Sequence, residues 1–404
     1  MQTNVFEIEK NVFWIGVNDY DLRVFDIVME TKFGTTYNAY LVKGSEKTAL
    51  IDTTKINFKD DYITKLSSLI DIHKIDYLVM NHTEPDHAGS IASILDINPD
   101  LTVIATTPGI NNIKEIINRP FNSITAKEGL EISLGNRTLT FYPLPFLHWP
   151  DTMFTYMKEE EMLFTCDFFG AHYAFEGVLA KNVKEIGDYR FAIKHYFDSI
   201  MSPFKKFVNK ALDRIDTLKV KYVLTGHGPV VDSTNLEECK LVYREWAKPR
   251  IANPEPLVII PYASAYGYTE KMAYAIKEGI ENGFNQKVTV ELYDLVTTKL
   301  ELVIERIEAS DAFLIGSTTI VGDTVKPVWD VLSTLNGTVH GGRPAAAFGS
   351  YGWSGEGPEF VHGRLTQLKM KMMDLLKVKF NPSADQLKDI VLYGERFAAF
   401  MQNK

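Results

Sequence analysis

Along roughly the first 250 residues, apolar and polar positions alternate in short runs. "NVFWIGV", "YNAYLVKG" and "KTALIDT" each follow a period of two and are bounded by Gly, Lys or Asp. Successive side chains of a strand point to opposite faces, so this period predicts strands of an antiparallel meander. A helix is expected at "FKDDYITKLSSLI", a strand at "IDYLVMNH", a second helix at "AGSIASILDI" and another strand at "LTVIATT". "LTFYPLPFLHWPD" and "EMLFTCDFFG" read as strands whose ends carry His148 and Asp167. A helical region then runs to about residue 216, and strand "KYVLTGHGPV" ends at His227.

The three prolines of "REWAKPRIANPEP" break the periodicity and predict a linker. Beyond it the pattern becomes a strict strand–helix alternation. "LVIIPYAS", "KVTVELYD", "DAFLIGST", "RPAAAFGSYG" and "KVKFNP" are each followed by a helical stretch. Five βα units imply an open, doubly wound parallel sheet. Two domains are expected, 1–250 and 256–404, since 404 residues exceed what one hydrophobic core organises.

Composition narrows the function classes. Apolar residues make up 45% and charged residues 24%, the balance of an ordinary globular protein. The net charge is −9, which argues against nucleic acid or anionic lipid as the main partner. No stretch approaches the ~20 apolar residues of a membrane span. The N-terminus carries acidic residues where a signal peptide needs a basic stretch. With only two cysteines, Cys166 and Cys239, a disulfide framework or CxxC metal site is excluded, and a cytoplasmic location is expected.

The segment "NHTEPDHAGS" places His82, Glu84, Asp86 and His87 within six positions. Alone, it reads equally as a capped, solvated turn before a helix. Three other strand ends alter the balance, because His148, Asp167 and His227 also sit where strands would converge on one cleft. Four imidazoles and three carboxylates exceed the needs of one tetrahedral zinc and suit two metals sharing a carboxylate. Trp149 and His172 are candidate orienting groups, or equally packing residues, and Tyr196 could supply a hydroxyl. His73, His195, His340 and His362 lack partner motifs. Cys166, beside Asp167 in an alternating strand, is expected to face away into the core.

In the second half, "ASAYGYTE" follows a strand and opens a helix. Its hydroxyls, glycine and free amides form a phosphate cradle that needs no basic side chain. It lacks GxGxxG, which disfavours a dinucleotide. The ends of the third and fourth strands carry "IGSTTIVGD" and "FGSYGWSGEG", where ligands lie in open α/β sheets.

The string "HTEPDH…HWPD…CD…GHGP" resembles the metallo-β-lactamase fold, an αββα sandwich, with Glu84 where that pattern usually has its second His. Oxygen ligands shift preference from zinc toward iron or manganese. The three later loops resemble flavodoxin and its FMN site, apart from Thr318, where related proteins often have Pro. Together, over essentially the whole chain, the motifs resemble the flavodiiron proteins (A-type flavoproteins).

The resemblance implies a site role for each matching residue. One iron would be held by His82, Glu84 and His148, the other by Asp86, His87 and His227, with Asp167 bridging. Ser264, Tyr266, Gly267, Tyr268 and Thr269 would hold the FMN phosphate. Ser317, Thr318, Thr319 and Ile320, with Ser350, Tyr351, Gly352 and Trp353, would face the ribityl chain and ring. The implied activity is reduction of dioxygen to water, or of nitric oxide, by electrons relayed from FMN to two irons. No rubredoxin-type cysteine pairs occur, so an external donor is expected. The reading points to the reduced deazaflavin coenzyme of methanogens, with rubredoxin as the alternative. A head-to-tail homodimer, or a dimer of dimers, is also implied. The rival readings are a dizinc hydrolase and a metal-free electron carrier.

Overall fold

The structure is a computed structural model, and it describes residues 4–249 and 251–403. The chain divides into two compact units, Met1–Pro249 and Arg250–Lys404.

The first unit is built on two sheets. One runs in the order Phe6–Glu9, Val12–Trp14, Tyr40–Lys43, Thr48–Ile51, Tyr77–Val79, Thr102–Ala105 and Asn122–Thr125. Its first four strands form the expected antiparallel meander, and its last four pair in parallel. The other runs Glu131–Ser133, Thr138–Pro143, Met153–Met157, Met162–Cys166, Tyr222–Thr225 and Val231–Asp232. It is antiparallel except between Met162–Cys166 and Tyr222–Thr225, whose parallel pairing requires a crossover through helices Ile186–Tyr196 and Lys205–Asp216.

The period-two pattern explains the layering. Val42, Ile51 and Val79 face inward and pack with Leu139, Phe141 and Phe164 of the second sheet in one cluster. Their neighbours Leu41, Leu50 and Leu78 face outward, under helix residues Tyr62, Leu66 and Ile94. On the far side, Phe154, Leu163 and Val223 meet Tyr189, Ile193 and Leu212. The layers are therefore helix, sheet, sheet, helix, the αββα sandwich. Each fully buried aromatic or aliphatic side chain contributes on the order of 1.5–3 kcal/mol.

In the second unit, five parallel strand positions run Thr289–Asp294, Leu257–Ala263, Ala312–Ser317, Pro344–Tyr351 and an outer strand in two pieces, Lys371–Met372 and Leu376–Lys379. Both faces are covered: Ile259, Phe313 and Ala345 pack under Val303, Val328 and Val361, while Val258, Leu314 and Phe348 pack under Ile276 and Phe397. The helices Tyr268–Gly283 and Ala384–Gln402 approach closely at Gly279, where a Cβ would lie 1.9 Å from the Val391 carbonyl oxygen. This is the expected flavodoxin-like doubly wound sheet. Among the described residues, no helix is long and apolar enough to cross a membrane.

Two local expectations are corrected. His148 does not end a strand: pairing stops at Pro143, and "LPFLH" forms a loop, since Pro145 has no N–H for a ladder. Cys166 does not face away. Its φ of 49° and a register shift against Tyr222–Thr225 break the alternation, and its Sγ stands within 4.8 Å of ligand atoms of His87 and Asp167.

Candidate metal centre and flavin cradle

Each of the seven candidate ligands follows a strand of the sandwich. His82 and Glu84 follow Tyr77–Val79, and a short helix, Pro85–Ala88, then carries Asp86 and His87. Pro85 suits that first turn, which has no use for its missing N–H. His148, Asp167 and His227 follow Thr138–Pro143, Met162–Cys166 and Tyr222–Thr225.

The fold brings all seven together in two groups. In one, Glu84 Oε2 lies 3.1 Å from His82 Nε2 and 3.0 Å from His148 Nε2. In the other, Asp86 Oδ2 lies 2.9 Å from His227 Nε2 and 3.3 Å from His87 Nε2. Asp167 stands between them: Oδ2 is 3.4 Å from His82 Nε2, and Oδ1 is 3.1 Å from His87 Nε2.

Two donors each ~2.1 Å from one ion stand roughly 3–3.5 Å apart, so these spacings suit metal ions within the groups. The polar accounting agrees, because both oxygens of Asp86 and Oδ2 of Asp167 are buried without a hydrogen-bond partner. A buried carboxylate is costly unless paired or bound to metal. The donor set of Nε2 atoms and carboxylates fits two irons.

Electrostatics are strongly coupled here. Burial disfavours a charged His82, but Asp151, Glu84 and Asp167 outweigh it and hold its pKa well above the usual imidazole range. Burial opposes a charged His87 as well, yet Asp86 and Asp167 lift it to about 9. For Asp167, burial is overcome by His87, His82 and His148, which keep it well below the carboxylate range.

The surrounding groups orient the ligands. His82 Nδ1 lies 3.1 Å from Asp151 Oδ2, an oxygen that also accepts from the Thr83 amide at 2.7 Å. His227 Nδ1 donates to the Thr36 carbonyl at 2.6 Å, which leaves Nε2 free of its proton. Tyr196 donates its hydroxyl to Asp167 Oδ1 at 2.9 Å. The Trp149 ring stands edge-on to His82 at 5.2 Å. His172 is buried among Phe25, Tyr196 and His227, with Nδ1 on Thr35 Oγ1 at 2.8 Å and Nε2 unpartnered.

Asp151 was not singled out from the sequence, although it closes the quoted "HWPD"; a carboxylate two positions past an aromatic carries no period of its own. Asp151→Asn is expected to lower metal affinity ~10–100-fold by releasing the His82 tautomer. Chelator competition measures this, and unchanged affinity would make Asp151 a packing residue.

In the second unit, the loops after Leu257–Ala263, Ala312–Ser317 and Pro344–Tyr351 lie on adjacent strands. Gly267 adopts φ 78° at the start of helix Tyr268–Gly283, a left-handed turn that glycine takes at no cost. Glycine has no side chain to cap the helix, and Ser264 Oγ accepts from the Glu270 amide at 3.3 Å instead. The Thr318 amide donates to the Ala263 carbonyl at 3.2 Å, a bond that proline could not make. Thr319 Oγ1 accepts from the Gly357 amide at 3.1 Å, and Ser317 Oγ donates to the Thr318 carbonyl at 2.8 Å. Tyr266 and Trp353 leave 85% and 94% of their surface uncovered, and Ile320 is exposed beside the half-covered Tyr351 and Gly352. A left-handed glycine turn opening a helix, beside uncovered aromatics, fits a phosphate-bearing planar ligand.

Thr269 differs from expectation in detail. It is buried, and Oγ1 accepts from the Ser350 amide at 3.3 Å, so it also ties two loops together. Thr269→Val is expected to weaken FMN by ~1.5–3 kcal/mol through the lost hydrogen bonds. Titration of the apoprotein checks this, and unchanged affinity would move the phosphate elsewhere.

A sandwich whose imidazoles and carboxylates gather in two groups that could each hold a metal, followed by a flavodoxin-like sheet, is the arrangement of a flavin-linked metalloenzyme. Comparison with known proteins gives the same class. Residues 35–228 match the model of the ODP family beta lactamases, and residues 260–394 match flavodoxin. The chain is 39% identical to flavo-diiron protein FprA2 of Clostridium acetobutylicum over 97% of its length and 98% of that protein's. It is 34% identical to a nitric oxide reductase of Moorella thermoacetica, covering 97% and 98%. Among solved structures, rubredoxin oxygen:oxidoreductase of Desulfovibrio gigas superposes with a TM-score of 0.70 at 27% identity, covering 99% of both chains. The chain belongs to the flavodiiron proteins, oxidoreductases whose cofactors are FMN and a di-iron centre.

Proposed function

We propose that the protein reduces dioxygen to water with electrons passed from FMN in the 256–404 domain to a di-iron site in the 1–250 domain. The observation that carries this reading is the division of Asp167, whose two oxygens face two separate His–carboxylate groups. When bound, two irons would supply the redox chemistry for a diatomic gas, and FMN a two-electron store. The chain's own residues do the rest. His82, Glu84 and His148 would hold one iron, Asp86, His87 and His227 the other, and Asp167 would offer one oxygen to each group. The Tyr196 hydroxyl donates to Asp167 Oδ1 and so fixes the orientation of that carboxylate. Thr36 and Asp151 hold the imidazoles with Nε2 toward the metals.

Nitric oxide is the second substrate to weigh, supported by the name of the Moorella relative. For the donor we propose the reduced deazaflavin coenzyme, which the family resemblance implies for a two-domain chain without cysteine pairs; the name of the Desulfovibrio neighbour favours rubredoxin instead. A cytoplasmic location is in keeping with two buried free cysteines. Stopped-flow reduction by each donor, followed by reoxidation with each gas, tests these choices. Slow reduction by the deazaflavin and fast reduction by rubredoxin would overturn the donor assignment.

A head-to-tail dimer would place the flavin of one chain against the irons of another. The short, proline-stiffened "KPRIANPEP" disfavours a swinging domain. Mixing a His87→Ala variant with one whose 264–269 loop is broken should then restore activity. Random exchange makes half the dimers mixed, each with one working site of two, so up to about a quarter of wild-type activity is expected. Zero activity after confirmed exchange would place transfer within one chain.

A further inference from the structure

Two helix faces of the first unit meet around an opening that none of the roles above uses. Helix Ile186–Tyr196 presents Ile186, Tyr189, Arg190 and Ile193, and helix Leu236–Trp246 presents Glu238, Cys239, Val242 and Trp246. Each set recurs three or four positions apart, the spacing of one helix stripe. Facing stripes normally interlock with few voids larger than a water molecule. Here they enclose a cavity of about 130 Å³.

Its walls are mostly carbon, with one polar group left over. Tyr189 is 5% exposed, and its hydroxyl is buried without a hydrogen-bond partner. Burial, its largest influence, holds that phenol well above its usual pKa, so the group stays a donor. Trp246 forms a fixed wall, its ring 5.2 Å from that of Phe197 and 5.7 Å from that of Tyr243. The two charged side chains that line the opening, Arg190 and Glu238, are half-exposed and paired with each other at 2.6 Å across the two helices. A lone water is a poor filler, because it needs about two to four polar partners.

We propose that this cavity is a binding site for a small neutral aromatic molecule, one ring in size, whose hydrogen-bond acceptor meets the Tyr189 hydroxyl. An apolar void of about 150 Å³ holds one benzene ring, which sets the size. The indole of Trp246 favours a planar ring against it. The Arg190–Glu238 pair leaves no net charge for an ion to answer, which sets the neutrality. An unpaired buried hydroxyl is costly, and an acceptor on the ligand removes that cost. The site does not depend on the metal or flavin reading.

The test titrates the iron- and FMN-loaded protein with benzonitrile, whose nitrile nitrogen is an acceptor, and with toluene, a similar ring without one. Calorimetry gives the affinities, and a crystal structure with benzonitrile locates the ligand. Benzonitrile should bind saturably with Kd on the order of 0.1–1 mM, leaving the flavin and iron absorption unchanged. Tyr189→Phe removes only the hydroxyl, so benzonitrile should weaken ~3–10-fold while toluene stays within twofold. Val242→Phe fills the space and should abolish binding of both. No saturable binding to the wild type would overturn the proposal. So would equal weakening of both ligands in Tyr189→Phe, unchanged binding in Val242→Phe, or a ligand seated anywhere but between these two helices. The wild-type titration and structure decide the matter even where a variant fails to fold. Iron content, measured in the same sample, bears only on the redox reading.

Discussion

Replacing Glu84 with His is expected to move one metal group from iron toward zinc and to reduce gas turnover at least ~100-fold, with FMN still bound. Glu84 Oε2 lies closest to both His82 Nε2 and His148 Nε2, at 3.1 and 3.0 Å, against 3.4 and 3.6 Å for Asp167 Oδ2. An imidazole there would leave three neutral nitrogens and Asp167, a set that suits tetrahedral zinc. Zinc has no redox chemistry, so electrons arriving from the flavin would have only one iron to enter. The flavin cradle lies in the other unit and does not use residue 84. Metal analysis and oxygen uptake check the outcome. Retained oxidase activity with two irons would show that Glu84 is not a ligand.

Asp167→Asn should have an effect of similar size by another route. The substitution nearly preserves shape, and its amide oxygen can still accept from the Tyr196 hydroxyl. It removes the buried negative charge that His87, His82 and His148 all stabilise. Without it, bound iron should fall from two per chain to one or fewer. In the metal-free protein, breaking a buried ion pair of this kind costs about 3–5 kcal/mol, read as a lower melting temperature. Two irons retained with an unchanged melting temperature would remove Asp167 from the bridge.

The metal candidates were legible in the sequence because each follows an apolar strand run, and the segments after one strand of the first sheet and three of the second come together in the fold. Their partition into two groups was not legible from spacing; it depends on which way each loop turns, and the family resemblance supplied it. The errors have backbone causes. At Cys166 a left-handed φ defeats the period-two argument, so the thiol that should face away lies beside His87 and Asp167. At His148, Pro143 and Pro145 end pairing early and leave the imidazole on a loop. Asp151 reaches the centre through a loop and leaves no periodic trace. In the second unit the βα alternation predicted the sheet well, because buried parallel strands are nearly continuous apolar runs. It did not reveal that Thr269 is tied to Ser350 across the cradle.

The central claim is that one chain stores the four electrons that one dioxygen requires. Two ferrous ions give up two, and reduced FMN gives up two. The most direct measurement is rapid reoxidation of the fully reduced, two-iron, one-FMN protein by limiting oxygen, with hydrogen peroxide assayed in the same sample. One O₂ consumed per chain, with flavin and iron oxidised together and no peroxide released, is the predicted result. Stoichiometric peroxide, with flavin oxidised while the metal stays unchanged, would contradict it.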